Sequence, residues 1–270
     1  MAVYSRTMSD HSDQNACADL VRAHDRDRWL TASVAPAGRR PALLALYALN
    51  VEISRIPEIT REPMAGRIRH QWWRESLKQA AGPGPVRNHP VVRAIGELLT
   101  SGDLRPDDVG AFLDAREADL AAGQPQDLDA FEAFCRETGG ALCRLAVALL
   151  AADSPKTLDI ADTIGTAHGM IGRLLNAPFW AARGRTILPG GEPDAPRAIA
   201  ERARTLLDQA RESRSDVSRT ALPALLIGRI TDVRLRRLEA CGFDPASPKA
   251  EPLPHARPLA VMKGALSGRY

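Results

Sequence analysis

The apolar residues of this chain recur three and four positions apart along almost all of its 270 residues, in stretches separated by proline and glycine. Alternation of apolar and polar residues, which is typical of a half-buried strand, is nearly absent. The observed spacing places apolar side chains on one face of an α-helix, and the proline and glycine clusters end one helix before the next begins. The sequence therefore predicts an all-α fold, a single-domain helical bundle.

The predicted organisation has three parts, because proline becomes frequent near the end of the chain. We expect a flexible N-terminus over 1–15, a helical domain over 16–243 and a proline-rich tail over 244–270. Within the tail, apolar and basic residues form a short basic amphipathic segment, made by Arg257, Leu259, Val261, Met262, Lys263, Leu266 and Arg269. This segment could lie on an anionic membrane surface or dock onto the helical domain, and docking is slightly favoured.

Composition narrows the classes of function. Hydrophobic residues make up 44% of the chain, charged residues 26%, and the mean hydropathy is −0.22, as in ordinary globular proteins. The net charge of +3 comes from scattered arginines rather than a lysine-rich block, which argues against nucleic acid as a partner. No apolar stretch approaches the about 20 residues that cross a bilayer. We expect a cytoplasmic location, with peripheral contact at the inner membrane surface as an alternative.

Three stretches resemble a known family. The first contains Asp27-Arg28-Trp29-Leu30, Ala45-Leu46-Tyr47-Ala48-Leu49 and Gln71-Trp72-Trp73-Arg74-Glu75. The second is Phe134-Cys135-Arg136-Glu137-Thr138-Gly139-Gly140, and the third is Gly184-Arg185-Thr186-Ile187-Leu188-Pro189. Together they resemble the squalene/phytoene synthases over roughly residues 20 to 240. The resemblance implies the helical isoprenoid synthase fold.

In that family, two aspartate-rich motifs hold the divalent metal that helps an allylic diphosphate to leave. The resemblance places the first motif on Ser54, Arg55 and Glu58, and the second on Asn176 and Trp180. Only Glu58 keeps a carboxylate, and the other positions hold a hydroxyl, a guanidinium, an amide and an indole. We therefore expect no metal site and no cofactor, with magnesium required only if the chain is a working prenyltransferase.

The loss of these aspartates also has a counterpart within the family. The stretches 46–75 and 177–185 most resemble a branch that includes a mitochondrial respiratory complex I assembly factor and its bacterial relatives, which also lack the motifs. The resemblance implies a non-catalytic protein that assists assembly of NADH:quinone oxidoreductase and contacts its subunits or assembly intermediates. Two alternatives stay open: a prenyltransferase that condenses allylic isoprenoid diphosphates, and a protein that binds an isoprenoid or lipid without converting it.

Cationic and aromatic side chains outside the motifs could line a cavity or hold an anion without metal. These candidates are Arg28, Arg39, Tyr47, Arg69, Trp73, Arg74, Arg183 and Arg185. The alternative is that the arginines pair with surface carboxylates and the tryptophans pack between helices, with Trp72 in the core and Trp73 at a helix contact. The histidines lack metal-binding spacing, so His168 is expected to be a hydrogen-bonded core residue.

Overall fold

A computed structural model describes residues 2–60, 62–120, 123–152, 154–191, 194–214 and 217–270, with side chains from residue 12 onward. All regular secondary structure in these ranges is helical, which confirms the predicted all-α class. The chain forms two compact units, Met1–Ala121 and Ala122–Tyr270. The predicted boundaries at 15 and 243 stay predictions.

The first unit is built around one buried helix. Its helices are α1 (Ala2–His24), α2 (Arg26–Ser33), α3 (Arg40–Ser54), α4 (Ile56–Ile59), α5 (Pro63–Ala80), α6 (Pro90–Thr100) and α7 (Pro106–Glu117), followed by a 3₁₀ turn at Ala118–Leu120. Helices α3 to α7 each carry proline in their first turn, where its missing N–H costs no hydrogen bond. Helix α3 is buried on nearly every side from Leu43 to Val51 and packs against α1 and α6, so it forms the core of this unit.

The second unit is built around one long helix. Its helices are α8 (Leu128–Cys135), α9 (Ala141–Leu149), α10 (Pro155–Ala181), α11 (Ala195–Glu212), α12 (Leu222–Leu225), α13 (Ile227–Ala240) and α14 (Ala256–Ser267). A π-helical turn at Arg136–Gly140 joins α8 to α9, and 3₁₀ turns occur at Arg219–Ala221 and Pro248–Ala250. Helices α8, α9, α11 and α13 all pack against α10, which therefore forms the core of this unit.

The π-helical turn and α10 approach each other with almost no space between their backbones. A Cβ atom added to Gly139 would lie 2.5 Å from the carbonyl oxygen of Gly165, and one added to Gly165 would lie 2.4 Å from the oxygen of Gly139. Contacts this short are not available to a side chain, so only glycine fits at both positions. The pair of glycines fixes how the π-helical turn sits on α10.

The proline-rich tail ends in α14, which docks onto α13. Val261 and Gly264 are buried, and a Cβ atom on Gly264 would lie 2.4 Å from the side chain of Leu226. Tyr270 is buried as well, and its hydroxyl donates to the carbonyl oxygen of Ala210 at 3.3 Å. Among the residues that the structure describes, no helix combines the length and apolar character needed to cross a membrane.

Candidate functional site

The first degenerate motif lies where α3 ends and α4 begins. Ser54 is the last residue of α3, and its hydroxyl donates to the carbonyl oxygen of Val51 at 3.3 Å. Arg55 occupies the junction, with Nη1 3.1 Å from Nε2 of His24 and Nε 3.8 Å from the carboxylate of Glu58. The one carboxylate that the motif keeps is therefore partly neutralised by a neighbouring cation.

This set of donors does not fit a magnesium ion. Mg²⁺ prefers carboxylate oxygens in octahedral geometry, and the first motif offers one carboxylate, which is next to a guanidinium. The Ser54 hydroxyl already bonds its own helix. In the parts of the chain that the structure describes, no three His, Cys, Asp or Glu side chains are grouped so that they could hold a metal. The side chains of the first motif therefore support no chemical step through a bound metal.

A pocket of about 360 Å³ opens beside α3 in the same unit. It is lined by Glu52, Ile68, Arg69, Trp72, Trp73 and His89. Three of its rings meet edge to face, with centroid distances of 5.1 Å for Trp72 and Trp73, 5.0 Å for Trp73 and His89, and 5.8 Å for Trp72 and His89. Trp73 is buried, and Trp72, which was expected in the core, is partly exposed. The pocket has an aromatic wall.

Arg69 and Glu52 bring one positive and one negative charge to the lining of this pocket, next to the ring of His89. Burial lowers the pKa of His89, with Glu52 opposing the shift, so the imidazole is neutral near pH 7. The Nδ1 atom of His89 has no hydrogen-bond partner in the described protein. The pocket thus offers apolar and aromatic surface with Arg69 and Glu52 as its charged groups. Its lining contains no nucleophile activated by a base.

Other predicted arginines of the first unit are engaged by carboxylates. Arg28 lies 2.8 Å from Asp25, which also caps α2, and its guanidinium is 5.9 Å from the ring centroid of Tyr47. Arg39 pairs with Asp103 at 3.2 Å. These contacts give both arginines carboxylate partners.

Arg74 is held by two carboxylates, Asp114 at 2.6 Å and Glu117 at 2.7 Å. It borders a groove of about 610 Å³ whose walls come mainly from apolar residues of α5 and α7. One turn earlier on α5, His70 is completely buried, and neither ring nitrogen has a hydrogen-bond partner in the described protein. Burial lowers the pKa of His70, against the attraction of Glu117. No spacing in the sequence points to this histidine.

The second degenerate motif lies at the end of α10, in the second unit. Asn176 is exposed, while Trp180 meets Phe179 edge to face at 5.3 Å. The guanidinium of Arg185 lies 4.6 Å from the Trp180 ring centroid, and that of Arg183 lies 3.5 Å from the ring centroid of Phe179. Cations therefore stack on aromatic rings at the end of the helix where the resemblance expects aspartates.

A partly buried cluster of ion pairs lies in the second unit, where charges at helical spacing were expected to pair within or between helices. Asp162 of α10 is 8% exposed and accepts hydrogen bonds from Arg136 and Arg144. Arg136 also pairs with Glu132 at 2.8 Å, and Arg202 pairs with Glu132 at 2.6 Å. Burial of Glu132 opposes its ionisation, but the hydrogen bonds from the two arginines outweigh burial and lower its pKa. The Glu132–Arg136 pair has the i, i+4 spacing of one helix, and the other pairs join different helices.

Comparison with known families identifies the family of this chain. A family model described as squalene/phytoene synthase matches residues 21–192. The chain belongs to the squalene/phytoene synthase family. The positions to which the resemblance assigns the two motifs lie at α3–α4 and in α10, and among Ser54, Arg55, Glu58, Asn176 and Trp180 only Glu58 has a carboxylate.

Curated proteins similar to this chain are named as assembly factors of complex I. The chain is 23% identical over 274 residues to "NADH dehydrogenase (ubiquinone) complex I, assembly factor 6" of Bos taurus, covering 94% of this chain and 82% of that protein. It is 23% identical over 253 residues to the homolog of that factor in Drosophila melanogaster, with coverages of 84% and 75%.

Solved structures support the fold. A dehydrosqualene synthase in complex with ligand superposes with a TM-score of 0.80 at 17% identity, covering 97% of this chain and 98% of that chain. Squalene synthase HpnC from Alicyclobacillus acidocaldarius gives a TM-score of 0.74 at 18% identity, with coverages of 88% and 97%. At these identities the likeness establishes the squalene/phytoene synthase type of helical fold and nothing about activity.

Proposed function

We propose that this chain is a non-catalytic member of the squalene/phytoene synthase family that assists the assembly of respiratory complex I. The observation that carries the proposal is that, at the five positions to which the resemblance assigns the aspartate-rich motifs, only Glu58 is a carboxylate. Arg55 stands beside the remaining Glu58, and Arg185 stacks on Trp180. The curated relatives named complex I assembly factor 6 support the role itself.

Electrostatics explain why these replacements oppose catalysis. An allylic diphosphate ionises when divalent cations neutralise the leaving group, and carboxylates hold those cations in place. A guanidinium repels such a cation instead, by roughly 4 kcal/mol per pair of unit charges at about 4 Å and an effective dielectric of about 20. The proposed protein therefore keeps the helical framework without the metal chemistry, and its partners are subunits or assembly intermediates of complex I.

A gene-deletion strain tests the assembly role. We expect less assembled complex I on native gels and lower NADH:quinone oxidoreductase activity in its membranes, both restored by the wild-type gene. Glu58→Gln is expected to restore them equally well, because the proposal gives this carboxylate no metal to hold. Glu97→Gln, which changes an exposed carboxylate on α6, is the matched control. Normal complex I in the deletion strain would overturn the assembly role.

An assay with purified protein tests the absence of catalysis. Incubation with farnesyl or geranylgeranyl diphosphate and Mg²⁺ is expected to release no diphosphate above the level of heat-denatured protein. Release that Glu58→Gln abolishes and Glu97→Gln preserves would instead establish the prenyltransferase alternative.

A second candidate function is binding of an isoprenoid or lipid without conversion, and the aromatic pocket beside α3 favours it. Native mass spectrometry of the purified protein would detect a retained lipid. We expect Trp72→Ala to lose it, since Trp72 lines the pocket, and Met64→Ala on the exposed part of α5 to keep it. Equal retention by both variants would exclude this pocket as the binding site.

A further inference from the structure

Helix α14 has two apolar faces, and one of them packs against α13. Its inner face carries Val261 and Gly264 against α13. Its outer face carries Leu259, Met262 and Leu266, which are 40%, 51% and 81% exposed. These three lie three, four and seven positions apart, so they share one stripe of the helix. A surface helix usually has polar residues on its outer face. The apolar outer face of α14 therefore indicates contact with a second apolar surface.

The segment that holds α14 has more basic than acidic residues. The whole sequence has 36 Lys and Arg against 33 Asp and Glu, and residues 252–270 contain three of the basic residues and none of the acidic ones. The remaining 251 residues therefore carry 33 charges of each sign and are formally neutral. Because Glu251 pairs with Arg257, residues 251–270 together carry two of the chain's three net positive charges.

Basic side chains lie next to the apolar stripe of α14. Lys263 is exposed on α14 next to that stripe, and Arg269 is exposed just after the helix ends at Ser267. The guanidinium of Arg219, from the turn before α12, lies 3.4 Å from where a Cβ atom on Gly268 would be, which adds a cation at the end of α14. Arg257 is engaged by Glu251 at 2.9 Å, so it adds little free charge.

We propose that the outer face of α14 lies on an anionic lipid surface. Leu259, Met262 and Leu266 would enter the boundary between headgroups and acyl chains, while Lys263 and Arg269 meet lipid phosphates. A lipid surface suits this face better than an acidic protein partner, because its apolar side chains are flexible and aliphatic and include no aromatic anchor of the kind that dominates protein interfaces. The inference stands apart from the assembly role, since it concerns what the purified protein binds.

Vesicle flotation with the full-length chain tests the proposal. We expect binding to vesicles of phosphatidylcholine with phosphatidylglycerol, weakening as salt is raised, and little binding to phosphatidylcholine alone. Met262→Ala combined with Leu266→Ala should weaken binding by roughly tenfold or more, given the apolar surface removed. Ile59→Ala combined with Met64→Ala is the matched control, because these side chains are 50% and 62% exposed in the first unit, and it should bind like the wild type.

The variants change exposed side chains, so circular dichroism and thermal melting should show both pairs folded. Equal binding to neutral vesicles, or equal loss in the control pair, would overturn the assignment to a charged surface at α14. Absence of binding to anionic vesicles by the wild type would also overturn it, and would direct attention to an acidic protein surface. Complex I levels in the deletion strain do not enter this test, so the two proposals fail separately.

Discussion

The close contact between the π-helical turn and α10 can be tested by one substitution made at two positions. In Gly165→Ala, the new Cβ atom would lie 2.4 Å from the carbonyl oxygen of Gly139 and 2.6 Å from the Cβ atom of Cys143. Because the nearest obstacle is backbone, no change of rotamer relieves it. In Gly172→Ala, on the same helix, the new atom meets nothing within 4 Å.

The two substitutions are expected to change the free energy of unfolding in opposite directions. Overpacking a well-packed site costs about 1–3 kcal/mol, and a clash with backbone belongs at the upper end of that range. Alanine is favoured over glycine inside a helix by about 1 kcal/mol, which offsets part of the cost. We expect Gly165→Ala to lower the free energy of unfolding by about 2 kcal/mol and Gly172→Ala to raise it by up to about 1 kcal/mol.

Urea denaturation followed by circular dichroism measures both values, with equal slopes confirming that the transition itself is unchanged. The informative quantity is the difference between the two variants, because helix propensity contributes equally to each. A Gly165→Ala protein as stable as Gly172→Ala would refute the close approach, since it would mean that α10 and the π-helical turn have room for a methyl group.

Two further predictions concern buried titratable groups. Burial lowers the pKa of His70 below its usual 6.5, so the unfolded chain takes up a proton first as the pH falls below 6.5 and the native state loses stability. His70→Leu should raise the free energy of unfolding by about 1–3 kcal/mol, because it removes two buried ring nitrogens without partners. It should also reduce the loss of unfolding free energy between about pH 7 and pH 5. Urea titrations that show the same pH dependence in the variant and the wild type would contradict this. Burial, with Asp13 and Glu52 nearby, raises the pKa of the Cys17 thiol to about 12. Iodoacetamide at about pH 8 should therefore leave Cys17 unlabelled until the protein unfolds, and peptide mass spectrometry would contradict this if native Cys17 reacted as fast as the partly exposed Cys241.

Helix boundaries show where the sequence pattern was sufficient and where it was not. The periodicity indicates one helix from about residue 16 to 30. The structure has two helices there, because the side chain of Asp25 accepts from the backbone N–H of Arg28 and caps a new helix. The proline at 178 suggests a helix end, yet α10 continues to Ala181 because its last turn bonds onward, with Ala182 N–H donating to the Pro178 oxygen. Local hydrogen bonds decided both cases, and the apolar pattern does not encode them.

The candidate site was predictable only in part, for a similar reason. The residues at 54, 55 and 58 could be placed by motif alignment, and their chemistry follows from their identity. Arg39 and Arg74 pair with carboxylates 64 and 40 or more positions away, so only the fold reveals those partners. Asp25 lies three positions before Arg28, a spacing that the sequence does show. His168 behaves as expected, with Nδ1 3.1 Å from the hydroxyl oxygen of Thr231. Glu52 and His89 could not be predicted, because neither belongs to a recognisable spacing.

The stacking of Arg185 on Trp180 gives the second unit an optical reporter. The chain has four tryptophans, and three of them, Trp29, Trp72 and Trp73, lie within residues 1–121. Trp180 is the only indole in the second unit, and it is partly exposed beneath a guanidinium 4.6 Å from its ring centroid. Replacing it with phenylalanine leaves fluorescence from the first unit alone. The difference between the two spectra then follows the end of α10 by itself.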